Sequence, residues 1–136
     1  MKDLILAEQT LKQKNLTLVI VKEGKILFET ETHGIRGLVK AVEELGKSME
    51  GSSVADRIVG KAAALLCVYA QIVAIFAPII DEKAIRTLRE NNVLYRYEKK
   101  ISHILDSTQK GMCPFEKLLV NISDPKEAYE TLKNCF

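Results

Sequence analysis

An almost wholly apolar stretch from Ala62 to Ile80 most constrains what this chain can fold into. Only Gln71 interrupts it, so its length alone would suit a membrane span. Its first half is rich in Ala and Leu and favours a helix, whereas residues 72–76 are β-branched or aromatic and precede Pro78. We therefore interpret the stretch as a buried helix that leads into a buried strand ending at Pro78. A membrane-associated segment is the less favoured alternative.

Periodic patterns on either side of this stretch predict further elements. Two β-branched runs, residues 16–21 and 26–31, flank a turn with Gly24 and predict an antiparallel hairpin. Asp81 and Asp124 are typical helix caps. Helices are predicted at residues 2–14, 38–45, 81–91, 114–122 and 125–134, a polar loop at 47–53, a strand at 93–97 and an irregular edge strand at 99–105. This order predicts one α/β domain over residues 1–136, with helices packed on a mixed sheet of about four to five strands.

Composition excludes several classes of function. The net charge is only +2, with Lys and Arg spread along the chain, and there is no Trp, so nucleic acid is not an expected partner. The odd and widely spaced set Cys67, Cys113 and Cys135 argues against a disulfide framework and for a reducing compartment. The first residues lack the apolar run of a signal peptide. We expect a soluble cytoplasmic protein that neither enters a membrane nor binds nucleic acid.

Three segments of the chain resemble one small prokaryotic family. They are ADRIVGKAAAL at residues 55–65, MCPFE at 112–116 and DPKEAY at 124–129. Together they resemble the family called domain of unknown function 1893, which is grouped with the cytidine-deaminase-like fold. The resemblance implies a three-layer α/β/α architecture with a candidate cleft. It implies no reaction, because the family has no established activity.

The zinc ligands of the deaminases are missing where the resemblance implies them. Those enzymes carry a His or Cys with a nearby Glu at one helix start, and Pro-Cys-x-x-Cys at the next. The matching first start carries Asp56 here, and residues 78–82 at the second contain no cysteine. The Cys-Pro pair at Cys113 has the reverse order, and His33 and His103 are far apart. We therefore expect no zinc site and no other cofactor.

Polar residues beside the long apolar stretch are candidates for a site. Asp56 either acts as a base, or binds an amine or a ribose, or only completes a helix capping box with Ser53. Lys61 is the only charged residue within residues 58–69, and Arg57 lies four residues earlier on nearly the same helical face. Two cations near a helix start predict an anion site formed by Arg57 and Lys61.

A second candidate segment lies around Cys113. The pattern predicts Cys113 at an N-cap and Glu116 at the third helical position. A thiol at a helix start can act as a nucleophile. The alternative is structural, with the cysteine tolerated as a cap and Glu116 complementing the helix dipole. We take Asp56, Cys113 and Glu116 as candidate catalytic residues, and interpret residues 33–37 as a simple turn.

These observations leave two functional hypotheses. In the first, a zinc-free deaminase-like domain binds a small anionic or nucleotide-like ligand in a cleft between the helix starts at Asp56 and Pro114, with a reactive Cys113. In the second, a non-catalytic interaction or regulatory module has kept the fold without the metal. In either case so apolar a small chain is expected to form a homo-oligomer.

Overall fold

The computed structural model describes residues 1–102 and 113–136, and the predicted hairpin forms one edge of its sheet. Strands β1 (Leu18–Lys22) and β2 (Lys25–Thr30) pair antiparallel. Glu23 and Gly24 between them both have positive φ angles, 52° and 77°, as a type I′ turn requires. The carboxylate of Asp3 accepts hydrogen bonds from the N–H groups of both residues, at 2.9 and 3.0 Å. The first helix thus holds the hairpin turn.

The remaining strands of the sheet run parallel to one another. Strand β3 (Ser53–Asp56) pairs antiparallel with β1 and parallel with β5 (Ala74–Asp81). Strand β4 (Ile58–Val59) continues along the same side of β5, and β6 (Leu94–Ile101) pairs parallel with the other side. The prediction of a mixed sheet is confirmed. Five strand positions lie side by side, because β3 and β4 lie end to end in one of them. The capping box predicted at residues 53–56 was wrong, because these residues form β3, which is held by two neighbouring strands rather than by a local signal.

The strands are interrupted at one level, where Arg57 and Pro78 lie opposite each other. Strand β5 pairs with β3 before this level and with β4 after it, in the same register. In a continuous strand, residues an odd number of positions apart point to opposite faces of the sheet. Val54 and Val59 are such a pair, yet both belong to one core cluster on the same face. The interruption therefore shifts the alternation of side chains between the two faces. Proline has no N–H to donate to a ladder. Strand β5 tolerates Pro78 at this gap and runs on to Asp81, instead of ending at Pro78 as predicted.

Helices cover both faces of the sheet, which confirms the three-layer architecture. Helix α1 (Lys2–Gln13) packs Leu4 and Leu11 against one face, where they join Val19 and Phe76. The opposite face carries α2 (Ile35–Leu45), α3 (Lys61–Tyr69), α4 (Glu82–Glu90), α5 (Pro114–Leu118) and α6 (Pro125–Lys133). A 3₁₀ turn, Gly46–Met49, follows α2.

The apolar stretch is the buried helix and strand that the sequence predicts. Residues Ala62 to Cys67 of α3 are at most 3% exposed, and they pack on the face that carries Ile75 and Ile80 of β5. Such a helix needs no amphipathic pattern, because it is surrounded by other elements on nearly every side. Among the helices described here, none is long and apolar enough to cross a membrane.

Helix boundaries follow local caps. The carboxylates of Asp81 and Asp124 accept hydrogen bonds from the N–H groups of Ala84 and Glu127, at 2.8 and 2.9 Å, which confirms both predicted caps. Helix α5 ends at Leu118 and does not continue to residue 122 as predicted. Of the predicted strand at 99–105, residues 99–101 belong to β6 and 103–105 lie outside the described residues.

Candidate functional site

A cavity of about 260 Å³ opens where β3 ends, and we call it the β3 cavity. It is lined by Thr17, Leu18, His33, Gly34, Ile35, Leu38, Asp56, Arg57, Ile58, Gly60, Ala62, Ala63, Cys113, Phe115 and Glu116. These residues come from β1, from the starts of α2, α3 and α5, and from the interruption between β3 and β4. Ligand sites of open α/β sheets lie outside the carboxyl ends of the strands, which is where this cavity is found.

Asp56 lies at the end of a strand and not at a helix start. It is the last residue of β3, and α3 begins at Lys61. The predicted capping box is therefore wrong, since Ser53 is buried within the same strand. The half-buried Asp56 side chain lines the cavity, and burial raises the pKa of its carboxyl to about 7. The nearby backbone N–H groups of Ile58 and Arg57 oppose this rise in the pKa.

The guanidinium of Arg57 is bonded to the end of the first helix. Its Nε donates to the carbonyl oxygen of Leu16 at 2.7 Å, and Nη2 donates to the carbonyl oxygen of Leu11 and to Oδ1 of Asn15, at 3.1 and 3.3 Å. Arg57 also lines the β3 cavity. The prediction that it shares a helical face with Lys61 was wrong, because Arg57 lies between two strands.

Lys61 is the first residue of α3, and its ammonium group points away from the β3 cavity. Its Nζ donates to the carbonyl oxygens of Leu119 and Val120, at 2.8 and 3.3 Å. These carbonyls follow α5, and that of Leu119 also accepts from the backbone N–H of Ile122 at 3.0 Å. Lys61 therefore links the start of α3 to the turn that follows α5. It lines a separate pocket against α4, so the structure does not bring Arg57 and Lys61 together at one site.

Cys113 and Asp56 line the same cavity, although they are far apart in sequence. Cys113 is the N-cap of α5 and Pro114 is its first residue, as the sequence predicts. The Cys113 side chain makes no capping hydrogen bond. Its thiol is free and half-buried. The residue is therefore positioned by the backbone at the cavity, without a capping role for its sulfur.

Glu116 connects two helices. Its carboxylate, only 8% exposed, accepts from the backbone N–H of Ala62 in the first turn of α3, at 3.2 and 3.4 Å. Burial raises the pKa of Glu116 to about 7, and the charge of Asp81 adds to the rise. The Ala62 N–H and the charges of Lys83 and Lys61 oppose it. Glu116 thus caps α3 from another helix.

The residues at the two helix starts do not fit a zinc ion. Helix α3 starts with Gly60, Lys61 and Ala62, and α4 starts at Asp81, whose carboxylate accepts from its own helix. The carboxylate of Glu116 is bonded at the first of these starts. Within residues 1–102 and 113–136, no three His, Cys, Asp or Glu side chains are grouped as a metal site would need. His103 lies outside the described residues.

Some residues that line these pockets were not predicted as site residues. His33 and Gly34, interpreted as part of a simple turn, line the β3 cavity together with Phe115. Lys83 and Arg86 line the pocket that contains Lys61. Their spacing on α4 puts them on one helical face, which the sequence pattern would have revealed. Nothing in the sequence indicated that this face meets Lys61.

The fold is that of the cytidine-deaminase-like proteins. The structure superposes on Acinetobacter baumannii RibD with a TM-score of 0.54 and 15% identity, covering 71% of this chain and 35% of that chain. It superposes on the apo dCMP deaminase of cyanophage S-TIM5 with a TM-score of 0.50 and 14% identity, covering 74% of this chain and 94% of that one. At such identities the likeness extends to the fold alone.

The family follows from two further comparisons. The model of the family described as domain of unknown function (DUF1893) matches residues 6–136. The crystal structure of a DUF1893 family protein from Thermotoga maritima is 31% identical, with a TM-score of 0.91, and covers 99% of this chain and 90% of that chain. This chain belongs to the DUF1893 family, as its sequence motifs predict. A comparison with curated proteins gives no match.

Proposed function

We propose that this chain binds a small planar heterocycle in the β3 cavity, one that presents a ring nitrogen beside an exocyclic amine. Cytosine and adenine have such an edge. The observation that carries the proposal is the half-buried carboxyl of Asp56 on a largely apolar cavity of about 260 Å³. A largely apolar cavity with few polar groups is the usual form of a small-molecule site.

The protonation of Asp56 supports this kind of ligand. With its pKa raised to about 7, the carboxyl is protonated in a large share of molecules near neutral pH. A protonated carboxyl has one donor and retains an acceptor oxygen. It can therefore donate to the ring nitrogen and accept from the exocyclic amine. The ionised carboxylate has lost the donor, so the affinity for the heterocycle should fall as the pH rises through 7.

Apolar side chains support a flat ligand. Leu18, Leu38, Ala63 and Phe115 come from four different elements and all line the cavity. An aromatic ring such as that of Phe115 is well suited to contact a heterocycle face. The cavity does not have the charges of a pure anion site, since the Arg57 guanidinium donates to the carbonyl oxygens of Leu16 and Leu11. The ligand part bound here is therefore the base-like part of a nucleotide-like molecule.

Cys113 is the reactive group that we propose for the same cavity. Its free thiol lies on the lining with Asp56 and makes no capping hydrogen bond. Glu116 lines the cavity as well, but its carboxylate accepts from the Ala62 N–H. We therefore assign Glu116 a positioning role, which holds the start of α3 against α5.

Isothermal titration calorimetry with cytosine and with adenine tests the binding proposal. For at least one of these probes, Asp56→Ala should weaken binding about tenfold, because Ala can neither donate nor accept a hydrogen bond through its side chain. Asp56→Asn keeps a donor and an acceptor but cannot ionise, so it should bind without the fall in affinity as the pH rises through 7. Cys135→Ser is the control, since Cys135 is exposed and lies outside the cavity lining. Absence of binding by both probes, or wild-type affinity in Asp56→Ala, would refute the proposal.

Alkylation tests Cys113 separately. Iodoacetamide should modify Cys113 faster than Cys135 well below pH 8, and a bound heterocycle should slow that reaction. Peptide mass spectrometry distinguishes the two sites. Equal rates at the two thiols would remove the reactive role and leave the binding proposal intact.

A second candidate is a non-catalytic interaction module, and one observation favours it. Glu116 and Arg57, both predicted as site residues, are bonded to backbone groups of α3 and of α1 with its following loop. These two residues, which line the cavity, thus stabilise the fold. This candidate expects ordinary reactivity at Cys113 and no affinity for cytosine or adenine, so the same two experiments separate it from the first.

A further inference from the structure

A second concave site, which we call the α3–α4 pocket, lies between these helices and the loop that follows α5. Its volume is about 230 Å³. Lys61 lines it from α3, Lys83 and Arg86 line it from α4, and Ser123 lines it from the loop. Lys61 belongs to this pocket and not to the β3 cavity. The two sites therefore lie on different sides of the start of α3.

The α3–α4 pocket has an excess of positive charge. Three cations from two helices line it, and Glu90 is the one carboxylate on its lining. Within the described part of the chain, neither Lys83 nor Arg86 forms an ion pair. Burial and the nearby charge of Lys83 lower the pKa of Lys61, with Glu116 opposing. An anion in the pocket would offset this repulsion between like charges.

Hydrogen-bond donors remain for such an anion. Two of the three N–H groups of Lys61 can be assigned to the carbonyl oxygens of Leu119 and Val120, which leaves one for a ligand. Arg86 is exposed and has a planar fork of donors that matches two oxygens of one group. Lys83 lies one turn before Arg86 on the same face of α4. Hydrogen-bond donors on two helices thus line one small pocket.

From this arrangement we propose that the α3–α4 pocket binds the phosphate group of a small molecule. Phosphate has several oxygens in a tetrahedral arrangement and more than one negative charge, which suits three cations better than a single carboxylate does. The concave shape favours a small molecule over an extended nucleic acid, which is bound along a positively charged surface. This site is independent of the heterocycle proposed for the β3 cavity.

Titration calorimetry of the full chain with pyrophosphate at an ionic strength of about 0.15 M, where distant charges are screened, tests the pocket. Arg86→Gln should weaken pyrophosphate binding about tenfold, the loss expected for charge-assisted hydrogen bonds. Arg89→Gln is the matched control: it removes the same charge from the same helix, but Arg89 donates to Tyr95 Oη and does not line the pocket. The control should change the affinity less than about twofold, as a distant screened charge does. Both substitutions fall on exposed positions of α4, so the fold should persist.

The outcomes separate the possibilities. Absence of pyrophosphate binding, or an equal loss in Arg86→Gln and Arg89→Gln, would overturn the proposal, the latter by indicating a diffuse positive surface. A comparison of pyrophosphate with cytidine diphosphate identifies the source of the phosphate. If Asp56→Ala weakens only the binding of the nucleotide, one ligand occupies both sites. If it weakens neither, the phosphate group is bound by itself, and the pocket stands even if the heterocycle proposal fails.

Discussion

The buried carboxyl of Glu116 makes the stability of this fold dependent on pH near neutrality. In the folded chain its pKa is about 7, against an ordinary value of 4.5, mainly because burial disfavours the ionised form. The folded chain therefore binds this proton more tightly than the unfolded chain does. The resulting stability is fully present below pH 4.5 and is lost as the pH rises through 7.

The size of the effect follows from the two pKa values. Each pH unit between them corresponds to about 1.4 kcal/mol, so the whole contribution is about 3 kcal/mol. Most of it, about 2.5 kcal/mol, should be lost between pH 5 and pH 8. The Asp56 carboxyl, whose pKa is also raised to about 7, should contribute to the loss of the protein's stability over the same pH range. The substitution of one carboxyl at a time is therefore needed to isolate its share.

Glu116→Gln isolates this carboxyl, because Gln keeps an oxygen that accepts from the Ala62 N–H but cannot ionise. The free energy of unfolding is measured in urea at pH 5 and at pH 8. Between these two pH values the wild type should lose about 2.5 kcal/mol more than the variant does. Glu130→Gln is the control, since Glu130 is exposed and has no hydrogen bond or ion pair within the described residues. The loss of stability of Glu130→Gln between pH 5 and pH 8 should equal that of the wild type. A Glu116→Gln variant with the wild-type loss would refute the reasoning.

Three further predictions concern stability and assembly. Asp124→Ala should lower the free energy of unfolding, measured in urea, by about 1 kcal/mol, because the Glu127 N–H loses its cap. Lys61→Met should lower it by about 2 kcal/mol, because the carbonyl oxygens of Leu119 and Val120 lose a charged donor. The homo-oligomer expected from the sequence should sediment faster than a 15.3 kDa monomer, and a single monomeric species would contradict it.

Local signals made much of the fold predictable. The hairpin has a glycine in a turn that requires positive φ, and the helices after Asp81 and Asp124 have caps whose partners lie three residues ahead. The buried helix and strand could be predicted because apolar residues fill both elements. In each case the interaction that decides the structure is nearly contained in the segment itself.

The site was less predictable because its geometry depends on contacts between distant segments. Ser53 and Asp56 match a capping pattern, yet pairing with β1 and β5 makes them a strand. Once Asp56 is in a strand, the helical spacing of Arg57 and Lys61 has no meaning. Their partners, carbonyl oxygens at the end of α1 and after α5, could not be inferred from spacing.

The interruption at Arg57 explains why a polar group lies on the β3 cavity at all. Asp56 ends β3 at this level, and the nearby backbone N–H groups of Ile58 and Arg57 lower the pKa of its carboxyl against the larger effect of burial. The carboxyl is thus coupled to the interrupted backbone and lines the cavity at the same time. Asn keeps a donor and an acceptor but cannot ionise. If Asp56 serves only the fold, the heterocycle affinity of Asp56→Asn should vary with pH as that of the wild type does. An affinity that falls as the pH rises through 7 in the wild type, but not in Asp56→Asn, therefore separates a ligand-binding role from a structural one.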